Sequence, residues 1–200
     1  MMRRRLILGL PLAVAACVGI LPKPPPPPAL YRLTPLRQTA SGAPLAAALV
    51  VEPPTAPDSL DTTRIALTRG AFGFDYFANA AWTDRATQLV QSLVIRSLEP
   101  RIAVVSGPSG FIVPDAILVS ALRRFEAAYD GATPPRAEVR LDCLLVRPVE
   151  RSVMAARSFA ARAPAAANDM ASIIAAFDHA LHAALDPMPD WIARSIGQIQ

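Results

Sequence analysis

The residues with the clearest chemical capability lie near the N-terminus, where a short apolar segment ends in a cysteine. Three arginines at positions 3–5 precede the apolar stretch Leu6–Ala16, which is too short for a spanning helix of about 20 residues. This pattern is typical of a secretory signal peptide, here predicted over residues 1–16. Its end, Val14-Ala15-Ala16-Cys17, resembles the bacterial lipobox, in which small residues precede a cysteine that is lipidated and becomes the mature N-terminus.

A thiol is required at this position because the diacylglyceryl group is attached as a thioether. We therefore predict that Cys17 is the lipidation site and that Val14, Ala15 and Ala16 are recognised by the signal peptidase. The alternative is a short buried helix that carries a cysteine by chance. Each buried methylene contributes about 0.8 kcal/mol and two acyl chains suffice for stable anchoring, so a fully acylated Cys17 would hold the chain on a membrane.

The residue after the cysteine bears on which membrane is involved. Val18 stands where enteric lipoproteins retained in the inner membrane have aspartate. This favours the periplasmic face of the outer membrane over the inner membrane. Residues 17–28 then form a proline-rich tether, because six of the seven residues in 22–28 are proline. Such a run favours polyproline II at about 3.1 Å per residue, giving a semi-rigid spacer of roughly 20 Å. A proline-rich ligand for an SH3-type domain is the alternative, which export from the cell disfavours.

Other residue types that can do chemistry are few and poorly grouped. Cys143 alternates with apolar neighbours, which favours a buried thiol over a nucleophile. His179 and His182 could share a helix face, but a zinc site needs three or four ligands and Asp178 is expected to point elsewhere. We interpret the two histidines as part of a solvated face. The sequence thus predicts no catalytic, metal or cofactor-binding site, and the chain is not expected to be an enzyme.

Composition excludes several further classes. The chain has 200 residues, 52% hydrophobic and 18% charged, with nine Gly and two Cys, which is unlike collagen, a disordered chain or a disulfide scaffold. Its net charge of +4 is concentrated in the leader. Removal of residues 1–16 takes away three of the 20 basic residues, and the remaining 17 face 16 acidic ones, a net of +1. The other arginines are scattered, so nucleic-acid binding is not expected.

The elements that would follow the tether form a single domain over residues 29–200. Helix 83–99, capped by Thr83, has apolar residues at spacings of three and four, and a second helix opens at Asn168-Asp169. A short last helix is expected from Pro189. Alternation and turn signals predict strands at 31–33, 45–51, 63–69 and 102–106, and then a meander of 116–129, 137–146 and 153–161. The expected fold class is α+β, with two main helices packed on one mixed or antiparallel sheet.

An aromatic cluster leaves two interpretations open. It consists of Phe72, Phe74, Tyr76, Phe77 and Trp82. The rings could pack in the core beneath the first helix. Alternatively, some of them could form an exposed patch that docks a partner or an acyl chain.

Several short blocks, in order behind the lipobox, resemble the ABC-type transport auxiliary lipoproteins, including those of the paraquat-inducible-protein C type. The blocks are Tyr31-Arg32-Leu33, Ile65-Ala66-Leu67-Thr68-Arg69, Tyr76-Phe77, Ala81-Trp82-Thr83-Asp84-Arg85, Arg124-Phe125-Glu126, Asp130-Gly131, Ala175-Ala176-Phe177 and Trp191. The resemblance implies a non-catalytic accessory component of a lipid-transport system. Its implied partners are a periplasmic MCE-domain protein and the associated ABC permease and ATPase, and some members form homo-oligomeric rings. The alternative function is a carrier that itself holds a lipid in an apolar cavity.

Overall fold

The computed structural model describes residues 26–36, 43–108, 112–131 and 133–197. The predicted signal peptide, Val14, Ala15, Ala16, Cys17 and most of the tether lie outside the described residues. Within them, eight strands form one mixed sheet, and three helices complete a single α+β domain. The predicted fold class is confirmed.

The sheet is organised around one long strand. The strands are β1 (Ala29–Tyr31), β2 (Leu45–Val51), β3 (Arg64–Arg69), β4 (Gly73–Trp82), β5 (Ile102–Ser106), β6 (Ala116–Tyr129), β7 (Arg136–Arg147) and β8 (Ser152–Pro164). One edge of β6 pairs in parallel with β2 near its start and with β3 near its end. Its other edge begins the antiparallel meander β6–β7–β8. The order β1-β4-β3-β6-β2-β5 completes the sheet.

The meander forms where the sequence alternates between apolar and polar residues. In β7, Val139, Leu141, Cys143 and Leu145 are all buried, as the alternation predicts. The intervening residues point to the other side of the sheet. The strand boundaries lie within a few residues of those expected from the turn signals at 130–135 and 148–150.

The first helix, α1 (Ala86–Leu98), starts later than predicted and without the predicted cap. Arg85 occupies the N-cap position and makes no side-chain cap hydrogen bond, so the prediction that Thr83 caps the helix is wrong. Instead, the Asp61 carboxylate accepts hydrogen bonds from Arg85 Nε at 3.1 Å and Thr87 Oγ1 at 2.7 Å. These bonds, that from Arg85 foremost, hold the pKa of Asp61 below its usual value. A loop distant in sequence therefore holds the start of the helix.

The C-terminal helices follow their sequence signals more closely. Asp169 caps α2 (Met170–Leu185) by accepting a hydrogen bond from the Ser172 backbone N–H at 2.9 Å. Pro187 separates it from α3 (Met188–Gly197), which buries Trp191, Ile192 and Ile196. Among the described residues, none of the helices combines the length and hydropathy needed to cross a bilayer.

The core lies between the three helices and one face of the sheet. At its centre, Phe177 of α2 contacts two rings from the sheet, with centroids 5.2 Å from Trp82 of β4 and 5.1 Å from Phe125 of β6. Trp82 and Phe125 are themselves 5.4 Å apart. The three rings are almost completely buried, so this cluster joins a helix to two strands.

Strand β4 was not predicted, because its alternation is interrupted. The backbone of Asn79 has a φ of 56°, which breaks the extended run between the aromatic half of the strand and its buried end. The preceding β3–β4 hairpin has a tight three-residue loop, 70–72. A Cβ on Gly73 would lie 2.6 Å from the carbonyl oxygen of Arg69, so this position requires glycine.

Candidate functional site: the open face of the sheet

The helices pack on one side of the sheet, and the other side, here called the open face, carries no helix in the described part of the chain. Strands β3, β4, β6, β7 and β8 all contribute side chains to it. Register places Ala66 beside Tyr76 and Glu126, Glu126 opposite Glu138, and Glu138 opposite Arg162. Side chains from these five strands are therefore neighbours on the open face.

A buried carboxylate lies at the centre of this face. The side chain of Glu138 is only 3% exposed and is surrounded by three guanidinium groups. Its oxygens accept hydrogen bonds from Arg124 Nη1 at 2.8 Å and Arg136 Nε at 3.0 Å, and Arg162 Nε forms an ion pair with it at 3.0 Å. Arg136 also pairs with Asp130. Three strands are thus connected through one carboxylate, with the outer parts of the arginines in contact with solvent.

Glu126 lies directly opposite Glu138 and is much less well paired. Its side chain is largely buried, and Arg124 Nη1 is 3.6 Å from its Oε1. Burial raises the pKa of Glu126, because the charged carboxylate loses solvation; a 3.4 Å hydrogen bond from the Phe125 backbone N–H and the charge of Arg124 oppose this shift. The two glutamates and the surrounding arginines line a cavity of about 740 Å³.

A second carboxylate lies two same-face positions along β7, beyond Arg140. Asp142 accepts hydrogen bonds from Ser158 Oγ at 2.6 Å, Arg123 Nε at 3.0 Å and Arg140 Nε at 3.1 Å. These bonds, led by that from Ser158, lower the pKa of the Asp142 carboxyl. Asp142 is more exposed than Glu138, so its ion pairs are better screened by water.

An apolar groove adjoins these charges. It has a volume of about 540 Å³, and its lining includes Val119, Ala121, Leu144 and Ala156, with Arg123 and Arg157 also lining it. Leu144 is 41% exposed although it lies in the middle of a three-stranded meander. The groove therefore offers aliphatic surface next to guanidinium groups, an arrangement suited to a partner segment with apolar side chains and a carboxylate.

The predicted aromatic cluster is divided among three environments. Trp82 is buried against Phe125 and Phe177, so it does not belong to an exposed patch, and Phe77 packs partly against the core. Phe74 and Tyr76 lie on the open face, edge to face with centroids 5.4 Å apart, and Arg64 stacks on Tyr76 at 3.6 Å. Phe72 lies apart from all of these, in the turn of the β3–β4 hairpin.

The other chemically capable residues have structural surroundings. Cys143 is buried, as predicted, and burial raises the pKa of its thiol to about 12, so it is not a nucleophile at neutral pH. In the described ranges, no three His, Cys, Asp or Glu side chains are placed to hold a metal ion.

The expectation that Asp178 points away from both histidines is wrong for His182, whose Nε2 lies 3.8 Å from the Asp178 carboxylate. Both meet Thr34, in the segment after β1. Asp178 accepts from the Thr34 N–H and hydroxyl, each at 2.7 Å, and His182 Nε2 donates to the Thr34 carbonyl at 2.8 Å. The reason is tertiary packing, because residue 34 is 144 positions away from Asp178. His179 remains exposed, as expected.

The Glu138 cluster gives a stability prediction. Glu138→Ala should lower the free energy of unfolding by about 2 kcal/mol, because it leaves three converging guanidinium groups without their shared carboxylate. The figure is below that of a fully buried pair since the arginines are half exposed. Urea denaturation measures the effect. Asp142→Ala is the matched control, with an expected loss below about 1 kcal/mol. Equal losses in the two variants would contradict the special role of Glu138.

Sequence reasoning missed this cluster, although a signal was present. Arg136, Glu138, Arg140 and Asp142 recur with the period of a strand, so they had to share one face of β7. The alternation separates the apolar face of the strand from the charged face, but it does not show what the charged face contacts. Pairing with β6 and β8, which supplies Arg124 and Arg162, converts that charged face into a network.

The fold and the open face define a class of protein: a single α+β domain with a surface suited to binding and no grouped nucleophile, base or metal ligands among the described residues. Residues 31–188, from the end of β1 to the start of α3, match the family of ABC-type transport auxiliary lipoprotein components. The chain therefore belongs to this family, and the resemblance found in the sequence is confirmed. Membership fits a periplasmic protein anchored to a membrane by lipid.

Solved structures share the fold. A Xanthomonas campestris protein of the DUF330 family is 26% identical, with a TM-score of 0.79 over 85% of this chain and 97% of its own. An uncharacterized protein is 16% identical, with a TM-score of 0.64 over 86% of this chain and 99% of its own, and shows the shared fold. None of the curated proteins is similar enough to count as a match.

Proposed function

We propose that this protein is a non-catalytic accessory subunit of an ABC transport system that moves lipid between membranes. In this proposal it is anchored through Cys17 to the periplasmic face of the outer membrane and binds the periplasmic MCE-domain protein of the system. Family membership supports the accessory role in ABC-type transport. The MCE partner, the lipid cargo and the outer membrane are the parts that this proposal adds.

The observation that carries the proposal is the open face. A sheet in an isolated domain normally hides its aliphatic side chains, whereas here Leu144 stands 41% exposed in a groove of about 540 Å³. Arg123, whose side chain is 59% exposed, also lines the groove and pairs with Asp142 at 3.0 Å. Apolar surface beside a cation favours a protein segment that supplies both aliphatic side chains and an acid.

The surroundings of the nucleophilic and basic groups support a non-catalytic role. The Cys143 thiol is buried with a raised pKa, and His182 is engaged by the Thr34 carbonyl. Neither group faces the groove with a second group positioned to share a proton. The groove is thus better suited to binding than to bond making.

The packing also favours an accessory subunit over a lipid carrier. A carrier needs an apolar cavity to enclose an acyl chain. Between sheet and helices, the described part of the chain is filled by Trp82, Phe125, Phe177 and their aliphatic neighbours. If the protein were a carrier, native mass spectrometry of the purified lipoprotein would detect bound lipid.

Copurification tests the proposal. The full-length lipoprotein, expressed with the MCE-domain protein of its own transport system, should retain that protein through detergent extraction and affinity purification. Leu144→Glu should weaken the complex at least about tenfold, since it places a charge in the groove. Val149→Glu is the control, because Val149 is 85% exposed in the β7–β8 turn, away from the groove. Failure of the wild-type protein to retain a verified partner would overturn the proposal.

A further inference from the structure

The direction in which the tether leaves the domain is fixed by strand pairing. Strand β1 is parallel to β4, with Ala29 beside Ala80 and Tyr31 beside Trp82. Strand β4 in turn is antiparallel to β3. The start of β1 therefore points to the same end of the sheet as the β3–β4 hairpin turn. We call this the tether end of the domain.

Two other loops lie at the tether end. Arg69, at the end of β3, pairs with Tyr129 at the end of β6, and Arg136, at the start of β7, pairs with Pro164 at the end of β8. The β6–β7 and β8–α2 loops therefore lie beside the hairpin. Their exposed residues, with those of the hairpin turn, are largely small or apolar: Ala71, Phe72, Thr133, Pro134, Ala166 and Ala167.

The charged groups of the tether end are already used within the protein. Asp130 pairs with Arg136, Asp169 caps α2, and Arg69 lies over the Tyr129 ring. The opposite end of the sheet also exposes Val113 and Val149, but charged residues accompany them in or beside its loops: Asp115, Arg147, Glu150 and Arg151. Among the described residues, what distinguishes the end from which the lipidated segment leaves is the exposed aromatic ring of Phe72.

Phe72 is the most exposed large apolar side chain described. It is 100% exposed, and Phe74, two residues along, is 43% exposed. The turn that presents Phe72 is tight, because Gly70 has a φ of 60° and Gly73 has no room for a Cβ. Transfer of an exposed aromatic ring from water to the interfacial region of a bilayer is favourable, and a constrained turn holds the ring in position for this transfer.

Chain lengths place this turn within reach of a membrane. The tether from Cys17 to Pro28 has twelve residues and spans at most about 40 Å. Along β4, Gly73 lies seven residues from Ala80, the partner of Ala29, which is about 23 Å at strand spacing. The tether can hold Ala29 at most about 40 Å from the lipid. The hairpin turn extends about 23 Å from Ala29 in the same direction, which is more than half of that distance.

We propose that the β3–β4 hairpin is a second membrane contact, in which Phe72, assisted by Phe74, enters the interfacial region of the bilayer that holds the Cys17 lipid. The contact orients the domain with its tether end on the membrane and the open face roughly perpendicular to it. The proposal rests on the anchoring through Cys17 but not on the identity of the partner.

A fluorescent probe on the full-length lipoprotein tests the contact. Phe72→Cys introduces a reactive thiol, since Cys143 is buried with a raised pKa and a lipidated Cys17 is blocked. The protein carrying an environment-sensitive dye is placed in phosphatidylethanolamine–phosphatidylglycerol vesicles, with brominated lipids as quenchers. Val149→Cys provides the control at the opposite end. We expect a blue shift and strong quenching at position 72, with neither at position 149.

A second variant separates contact by Phe72 from proximity imposed by the tether. With the dye on Ala166→Cys, in the neighbouring loop, Phe72→Ser should shift the balance from docked to undocked domains by about tenfold. The fully exposed Phe72 is not needed for folding, which thermal melting of each variant checks. Absence of quenching at position 72, equal quenching at 72 and 149, or no effect of Phe72→Ser would each overturn the proposal. The vesicles contain no other protein, so failure here is independent of the copurification with the MCE protein.

Discussion

Replacing Phe177 with alanine should lower the free energy of unfolding by about 3–5 kcal/mol. The ring is fully buried and lies within 5.2 Å of both Trp82 and Phe125, measured between centroids. Its removal creates a cavity where α2, β4 and β6 meet, and the two remaining rings cannot both move to fill it. A loss of this size is a large fraction of the stability of an ordinary domain.

Chemical denaturation followed by tryptophan fluorescence measures this loss, since Trp82 reports on the site itself. Phe72→Ala is the matched control: it removes the same side chain from a fully exposed position, and the expected change is below about 0.5 kcal/mol. Similar losses of stability for Phe177→Ala and Phe72→Ala would show that the cluster of Trp82, Phe125 and Phe177 is not the centre of the core.

Replacing Cys17 with alanine should release the protein from the membrane. The predicted thioether and acyl chains are then absent. The membrane-binding free energy that they supply, about 0.8 kcal/mol for each buried methylene, is lost with them. For this experiment the variant is expressed with a leader that an ordinary signal peptidase cleaves. An uncleaved signal segment then cannot anchor the protein. Membrane fractionation, with mass spectrometry of the mature N-terminus, measures the result.

Cys143→Ala is the control for this experiment, because Cys143 is buried in β7 and makes no contact with lipid in the predicted arrangement. This variant should remain in the membrane fraction with the lipid mass intact. Retention of the Cys17→Ala protein at the wild-type level would refute the lipobox assignment, whichever membrane is involved.

Much of the fold follows from local pattern. The meander was predictable because β7 alternates strictly, and α2 because Asp169 and Pro187 bracket a continuous apolar stripe. These elements are specified by residues close together in the chain. The α+β class then follows, because one apolar sheet face needs helices to cover it.

Predictions failed where distant segments determine the local structure. Thr83 is a good N-cap type, but Asp61 engages Arg85 and Thr87, and the helix starts at Ala86, between them. Strand β4 escaped detection because Asn79 interrupts its period. Thr34, Asp178 and His182 meet although no periodicity relates position 34 to α2.

The candidate site was only partly accessible from the sequence. The alternation of Arg136, Glu138, Arg140 and Asp142 marks a charged strand face. What the alternation does not contain is the register that adds Arg124 and Arg162 and buries the Glu138 carboxylate. The groove beside Leu144 likewise depends on which strand faces carry helices, a property of the assembled sheet.

The attachment of Thr34 to α2 has a mechanical consequence. Tension from the lipid anchor enters the domain at Ala29 and runs along the axis of β1, so it shears the β1–β4 ladder instead of peeling its bonds apart one by one. Immediately behind that ladder, the bonds from Thr34 to Asp178 and His182 pass the remaining force to α2 and the Phe177 cluster. A pull on the predicted anchor would therefore be resisted by the centre of the fold.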